Sequence, residues 1–185
     1  EKLGIKILGF EGTEEKANFD SILTPILASK PETIYFGGMF DQAAVLFKQA
    51  RQKGYMGMFL SDDGFDSSDA AKIGGKAVEN GFFTNHYAAA DNRPIVQDFV
   101  KKYKAKYGAE PDALAALAYD AMNIMLDAIK RAGKTDGPSI QAALKATDIS
   151  VVSGQVKFDE KRNPVKSAVV VEVKNGKVVY RTTVN

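Results

Sequence analysis

Asp62, Asp63 and Asp66 stand close together in the run Ser61-Asp62-Asp63-Gly64-Phe65-Asp66, directly after the apolar stretch Met56 to Leu60. In an open α/β sheet, ligands sit outside the carboxyl ends of the strands. A carboxylate at that place can hold an ammonium group by charge-assisted hydrogen bonds. The same residues also read as a solvated Asp/Gly turn. Calcium fits less well: an EF-hand loop wants acidic residues at every second position, Gly at the sixth and Glu at the twelfth. Paired carboxylates for glycoside chemistry fit poorly too, since adjacent residues on a strand point to opposite faces.

Other chemistries find less support. Gly74-Gly75-Lys76 resembles part of a phosphate loop, but Ala77 stands where Ser or Thr would ligate magnesium and Ala70 where the first Gly belongs. Gly37-Gly38 lacks the rest of a dinucleotide fingerprint and reads as a tight turn that lets backbone approach a ligand or a neighbour. Lys101, Lys102, Lys104 and Lys106 alternate with Tyr103 and Tyr107, and this reads as a solvated helix face. His86 is the single histidine and there is no cysteine, which removes multi-His metal sites, thiol catalysis, disulfides and Cys-ligated metals. No serine has a nucleophile-elbow context. The residues themselves therefore supply no multi-His or Cys-ligated metal site and no thiol or serine nucleophile. With 25 basic and 23 acidic residues the net charge is +2, so no global field draws the chain to nucleic acid.

These residues need elements to place them. The 185 residues are 45% hydrophobic and 26% charged, an ordinary globular balance. Strand signals at Ile5 to Phe10, Thr33 to Phe36, Met56 to Leu60 and Gly81 to Thr84 alternate with helical periodicity over Asn18 to Lys30 and from Ala43 to Lys53, with Asp41 as N-cap and Gly54 as C′ residue. That alternation predicts βαβ units and a parallel sheet. Beyond Tyr87 the pattern changes. Asn92 and Pro94 predict an N-cap and first turn for a helix ended by Gly108, and Pro111 opens a longer one to Arg131. A third spans Pro138 to Lys145. Val151 to Phe158 reads as one strand, and Asn175-Gly176 between valine runs predicts a type I′ hairpin. No stretch reaches the roughly 18 apolar residues of a membrane helix, and no leader-like segment opens the chain.

Several strings, in order, resemble one family: Phe19-Asp20 to Ile22, Thr33-Ile34-Tyr35-Phe36-Gly37-Gly38, Phe47 to Gly54, Ser61-Asp62-Asp63-Gly64, Glu79 to Thr84, Tyr103 to Gly108, Pro111-Asp112-Ala113, Ala115 to Ala121, Ala142 to Thr147 and Gly154 to Glu160. Together they resemble the periplasmic branched-chain amino-acid-binding proteins of ABC importers, the leucine/isoleucine/valine type. The resemblance implies an α/β periplasmic binding protein of type I, a Venus flytrap with a parallel flavodoxin-like lobe, present here as a partial chain, with no catalysis, no cofactor and no metal. It divides the sequence into most of the C-terminal lobe (1–86), a hinge crossover with helices of the N-terminal lobe (87–150), and a return hinge with closing strands (151–185). It puts the ligand ammonium on Asp63, a side-chain wall at Met39, where some relatives carry Tyr, and a further apolar contact at Leu114. Groups for the ligand carboxylate would lie in an N-terminal segment outside this sequence.

The function this implies is capture of a branched-chain or related small aliphatic amino acid for a membrane ABC permease, in the periplasm or lipid-anchored in a Gram-positive. A ligand-sensing domain of a receptor or engineered sensor on the same fold is the alternative. An enzyme on a flavodoxin-like fold is disfavoured by the missing nucleophile, phosphate loop and metal set. The missing segment would come from the same protein or a second chain. In the resembled fold a further strand lies between Ile5–Phe10 and Thr33–Phe36, both of which read as strands with neighbours on either side.

Overall fold

Short β-branched and aromatic runs form the first strands in the computed structural model, which describes residues 4–184. Strand β1 (Thr33–Phe36) pairs in parallel with β2 (Met58–Ser61), in the register Ile34 to Phe59 and Phe36 to Ser61. Strand β2 pairs in parallel with β3 (Phe82–Asn85). Helix α1 (Asp20–Ala28) precedes β1, α2 (Phe40–Gln52) follows it, and α3 (Ser68–Gly74) lies between β2 and β3. The inner face of α2 is the predicted small and apolar set Ala43, Ala44, Leu46, Phe47 and Ala50. Gly54 ends it in the left-handed region, at φ +87°.

The chain forms two compact units. The first runs to Phe83 and takes in Glu172–Val179; the second comprises Thr84–Val171 and the residues from Tyr180 on. An aromatic stack fills the first: Phe47 lies flat on Phe59 with centroids 4.0 Å apart, and Phe65 packs at 5.6 Å from Phe47 and 5.3 Å from Phe83. The second unit holds α4 (Pro94–Tyr107), α5 (Ala113–Ala132), α6 (Gly137–Lys145) and an antiparallel sheet of β4 (Asp148–Val151), β5 (Gly154–Phe158) and β6 (Pro164–Val165). Its core is Tyr87, Val96, Phe99, Val100, Ala113, Ala116 and Val152. Strands β7 (Ala168–Lys174) and β8 (Lys177–Val184) complete a five-stranded sheet in the order β1-β2-β3-β7-β8.

Some expectations need correction. Ile5 to Phe10 is not a strand. It carries no regular structure, and Ile5, Ile7 and Phe10 are exposed. A strand exists only through ladder partners, and among the described residues none lies beside this segment. Strand β1 accordingly ends the sheet on its side, and Tyr35 is 62% exposed rather than covered. Val151 to Phe158 is two strands, because the chain reverses at Val152-Ser153 and Gly154 takes φ +122°. Asp41 sits inside the first turn of α2, whose N-cap is Met39, and Arg93 rather than Asn92 precedes Pro94. The hairpin turn is as predicted, with Asn175 at φ +53° and Gly176 at φ +69°.

Candidate functional site

Phe65 explains why the acidic turn faces outward. Its ring is 3% exposed, held between Phe47 and Phe83. The single 3₁₀ turn Asp63–Phe65 is thereby pinned to the core at one end. The other end is pinned by Ser61, buried on β2, whose hydroxyl donates to the Phe36 carbonyl at 2.7 Å. Between these anchors, Asp62 caps the turn: its Oδ1 accepts the Gly64 amide at 3.2 Å. Asp63, the next residue, is exposed.

The turn after β1 lies against the turn after β2. A Cβ on Gly64 would stand 2.6 Å from the Gly38 carbonyl oxygen, and one on Gly37 would stand 3.3 Å from Asp62 Oδ2. At position 64 only glycine allows this approach. Met39 follows immediately, half-exposed, as the N-cap of α2. The first unit thus brings Met39 and Asp63 onto two touching turns at the carboxyl ends of adjacent parallel strands, where an open α/β sheet places ligands. Leu114 belongs to the second unit, in the first turn of α5 and 62% exposed. Asp112 caps that helix by accepting the Ala115 amide at 2.8 Å.

Sequence reasoning singles out Asp63 and passes over Ser61, Asp62 and Tyr35. The usable signal for Asp62 was the Asp-X-Gly spacing of an Asx turn. Ser61 and Tyr35 carry no local signal, since each acts across the strand pair. The Tyr35 phenol is held above the ordinary tyrosine value by partial burial and then by the Asp62 charge.

A groove of about 920 Å³ in the first unit opens at the other end of the strands, beside Met58, Phe82, Lys48 and Lys76. It is wide and away from Met39 and Asp63, so it is not the site assembled above. No group of three or more His, Asp or Glu suited to a metal occurs among the described residues. No helix among them is long and apolar enough to cross a membrane.

Residues 1–177 match a family model described as periplasmic binding protein. The leucine-, isoleucine-, valine-, threonine- and alanine-binding protein of Pseudomonas aeruginosa is 29% identical over 163 residues, 87% of this chain and 43% of its own length. Among solved structures, a leucine-binding protein, LivK, of Thermotoga maritima is 40% identical, with a TM-score of 0.86 over 93% of this chain and 49% of its own. The substrate-binding protein LivJ of Streptococcus pneumoniae, solved with isoleucine, is 28% identical with a TM-score of 0.77, over 89% and 49%. The chain spans under half the length of the curated relatives it matches.

Proposed function

The chain belongs to the periplasmic binding protein family, and on that premise we propose that it is part of a solute-binding protein that captures a branched-chain or related small aliphatic amino acid between two lobes for an ABC importer. The fold is that of periplasmic binding proteins of type I, and the family is one of binding proteins rather than enzymes. The place of action is the periplasm, or the outer face of a Gram-positive membrane with a lipid anchor.

The observation that carries this reading is Asp63, exposed on a rigid turn at the strand ends. Its carboxylate would pair with the ligand ammonium as the lobes close by hinge motion and exclude water. Met39, on the touching turn, and Leu114, on α5, would form walls for the side chain. Met is flexible and fills irregular space, which suits an aliphatic ligand. Groups for the ligand carboxylate would come from the part of the relatives that this chain does not span, supplied by the same protein or by a second chain.

Asp63→Ala tests the reading in the two-lobed protein. Removing one partner of an enclosed ion pair costs about 3 kcal/mol, roughly a hundredfold in Kd. Calorimetry should show leucine binding lost while the fold persists; unchanged affinity in a folded variant overturns the assignment.

A further inference from the structure

The sequence contains two Asn-Gly pairs, Asn80-Gly81 and Asn175-Gly176, and both asparagines lie in the left-handed region, at φ +58° and φ +53°. After any asparagine, the next backbone nitrogen can attack the side-chain amide carbon, and a following glycine has no Cβ to obstruct the approach. The two pairs are held differently. Gly81 is buried: its amide donates to the Val78 carbonyl at 3.2 Å, and its carbonyl accepts the Val173 amide at 2.9 Å. The Asn80 amide donates to the Val173 carbonyl at 2.9 Å, so that pair is fixed by backbone on both sides. Asn175 and Gly176 are exposed to water in the turn between β7 and β8, and one side chain holds both amides. Glu79 Oε2 accepts Asn175 N–H at 2.8 Å and Oε1 accepts Gly176 N–H at 2.7 Å. The nitrogen that would attack Asn175 is therefore the one that donates to Glu79.

We propose that Asn175-Gly176 is a site of spontaneous deamidation that the Glu79 carboxylate holds closed. Hydroxide first takes the proton of the Gly176 amide. The nitrogen then bonds to Asn175 Cγ, and the bond from Cγ to the side-chain nitrogen breaks. That nitrogen takes a proton from water and leaves as ammonia, which returns the hydroxide. Water opens the resulting succinimide at either carbonyl, giving aspartate or isoaspartate, and nothing is oxidised or reduced. Glu79 opposes the first two steps. A nearby negative charge disfavours a second one, so the amide keeps its proton. The lone pair freed by deprotonation lies along the N–H direction, which points at Glu79 and not at Asn175 Cγ. The products do not suit the turn. Isoaspartate adds a backbone carbon between the two amides that Glu79 holds, and either product puts a second carboxylate on a residue that Glu79 already binds. One event at Asn175 thus releases the β7–β8 hairpin. This chemistry is independent of the ligand.

The test follows the two-lobed protein at mildly alkaline pH, folded and in concentrated urea, by peptide mapping that separates asparagine, aspartate and isoaspartate. Asn175 should react at least about tenfold more slowly in the folded parent than in urea. Glu79→Ala removes both acceptors, and Glu79→Gln removes the charge and leaves one acceptor oxygen. Each should raise the folded rate at Asn175 about tenfold, as for one unit in the acidity of the amide, and change Asn80 less than about twofold. In urea the parent and both variants should react alike. Glu79→Gln keeps the length of the side chain, so the measurement remains available should Glu79→Ala fold poorly. Equal folded and unfolded rates at Asn175 in the parent would overturn the proposal, as would an unchanged rate at Asn175 in both variants. Equal acceleration of Asn80 and Asn175 would also overturn it, by showing a general loosening of the unit in place of a released clamp.

Discussion

Asp120 is a carboxylate whose role is settled by two hydrogen bonds. It is 3% exposed on α5 and accepts the amides of Val152 at 2.9 Å and Ser153 at 2.8 Å, closing the turn between β4 and β5. Asp120→Ala would leave two buried amides without an acceptor, so a loss of about 3 kcal/mol is expected, seen as a lower denaturation midpoint. Asp120→Asn, which retains one acceptor, should lose less. Tyr35 gives a pH prediction. Partial burial, and then the Asp62 charge, hold its phenol above the ordinary value of 10.0, so the folded state resists its ionisation. That contribution to stability is complete below the unfolded value and lost as pH rises through the folded one. Urea midpoints from about pH 9 to 12 should therefore fall more steeply in the parent than in Tyr35→Phe; equal slopes would contradict it.

At the scale of elements, turns are held by side chains from distant parts of the chain. Glu79 accepts the amides of Asn175 at 2.8 Å and Gly176 at 2.7 Å, so a residue just before β3 clamps the hairpin between β7 and β8. Charge-assisted bonds of this kind contribute more than neutral ones. Glu79→Ala should cost about 2 kcal/mol and raise amide exchange selectively at residues 174–177. Uniform exchange across the first unit would show that the clamp is not local. Among the helices, the ends follow from single residues. Gly108 and Gly133 close α4 and α5 in the left-handed region at φ +70° and +63°, and Asp136 caps α6 through the Ser139 amide at 3.0 Å.

At the scale of the whole molecule, two features stand out, one in each unit. Strand β1 ends its sheet, and α5 carries a continuous exposed apolar stripe at Leu114, Met122, Met125 and Leu126, opposite its buried face of Ala113, Ala116, Asp120 and Ala128. With Ala118, which is also exposed, positions 114, 118, 122 and 126 recur every four residues along one side of α5. Such a stripe invites association in water. The 185 residues expressed by themselves should self-associate or unfold without cooperativity, as read by sedimentation, near-UV circular dichroism and a thermal scan. Met122→Lys with Leu126→Glu should restore solubility while weakening assembly with the half of the relatives' length that this chain does not span. A compact monomer with a sharp cooperative transition in the unaltered chain would contradict this.

Local chemistry determined most of the elements. The periodicity of α2, the glycines after α2, α4 and α5, the Asn-Gly turn and the alternation of strand and helix are readable because each depends on neighbours within a few residues. The parallel sheet and the place of Asp63 after a strand follow from the same local patterns. Tertiary structure alone decided whether an apolar run becomes a strand: Thr33–Phe36 finds β2 beside it, and Ile5–Phe10, with a similar composition, finds no partner among the described residues. It also decided what Ser61, Glu79 and Asp120 do, since their hydrogen bonds span strands or link residues far apart in the chain. A hydrophobic pattern states that a segment must be covered. Which backbone covers it, and which buried polar group then needs an acceptor, depends on distances that exist only once the chain has folded.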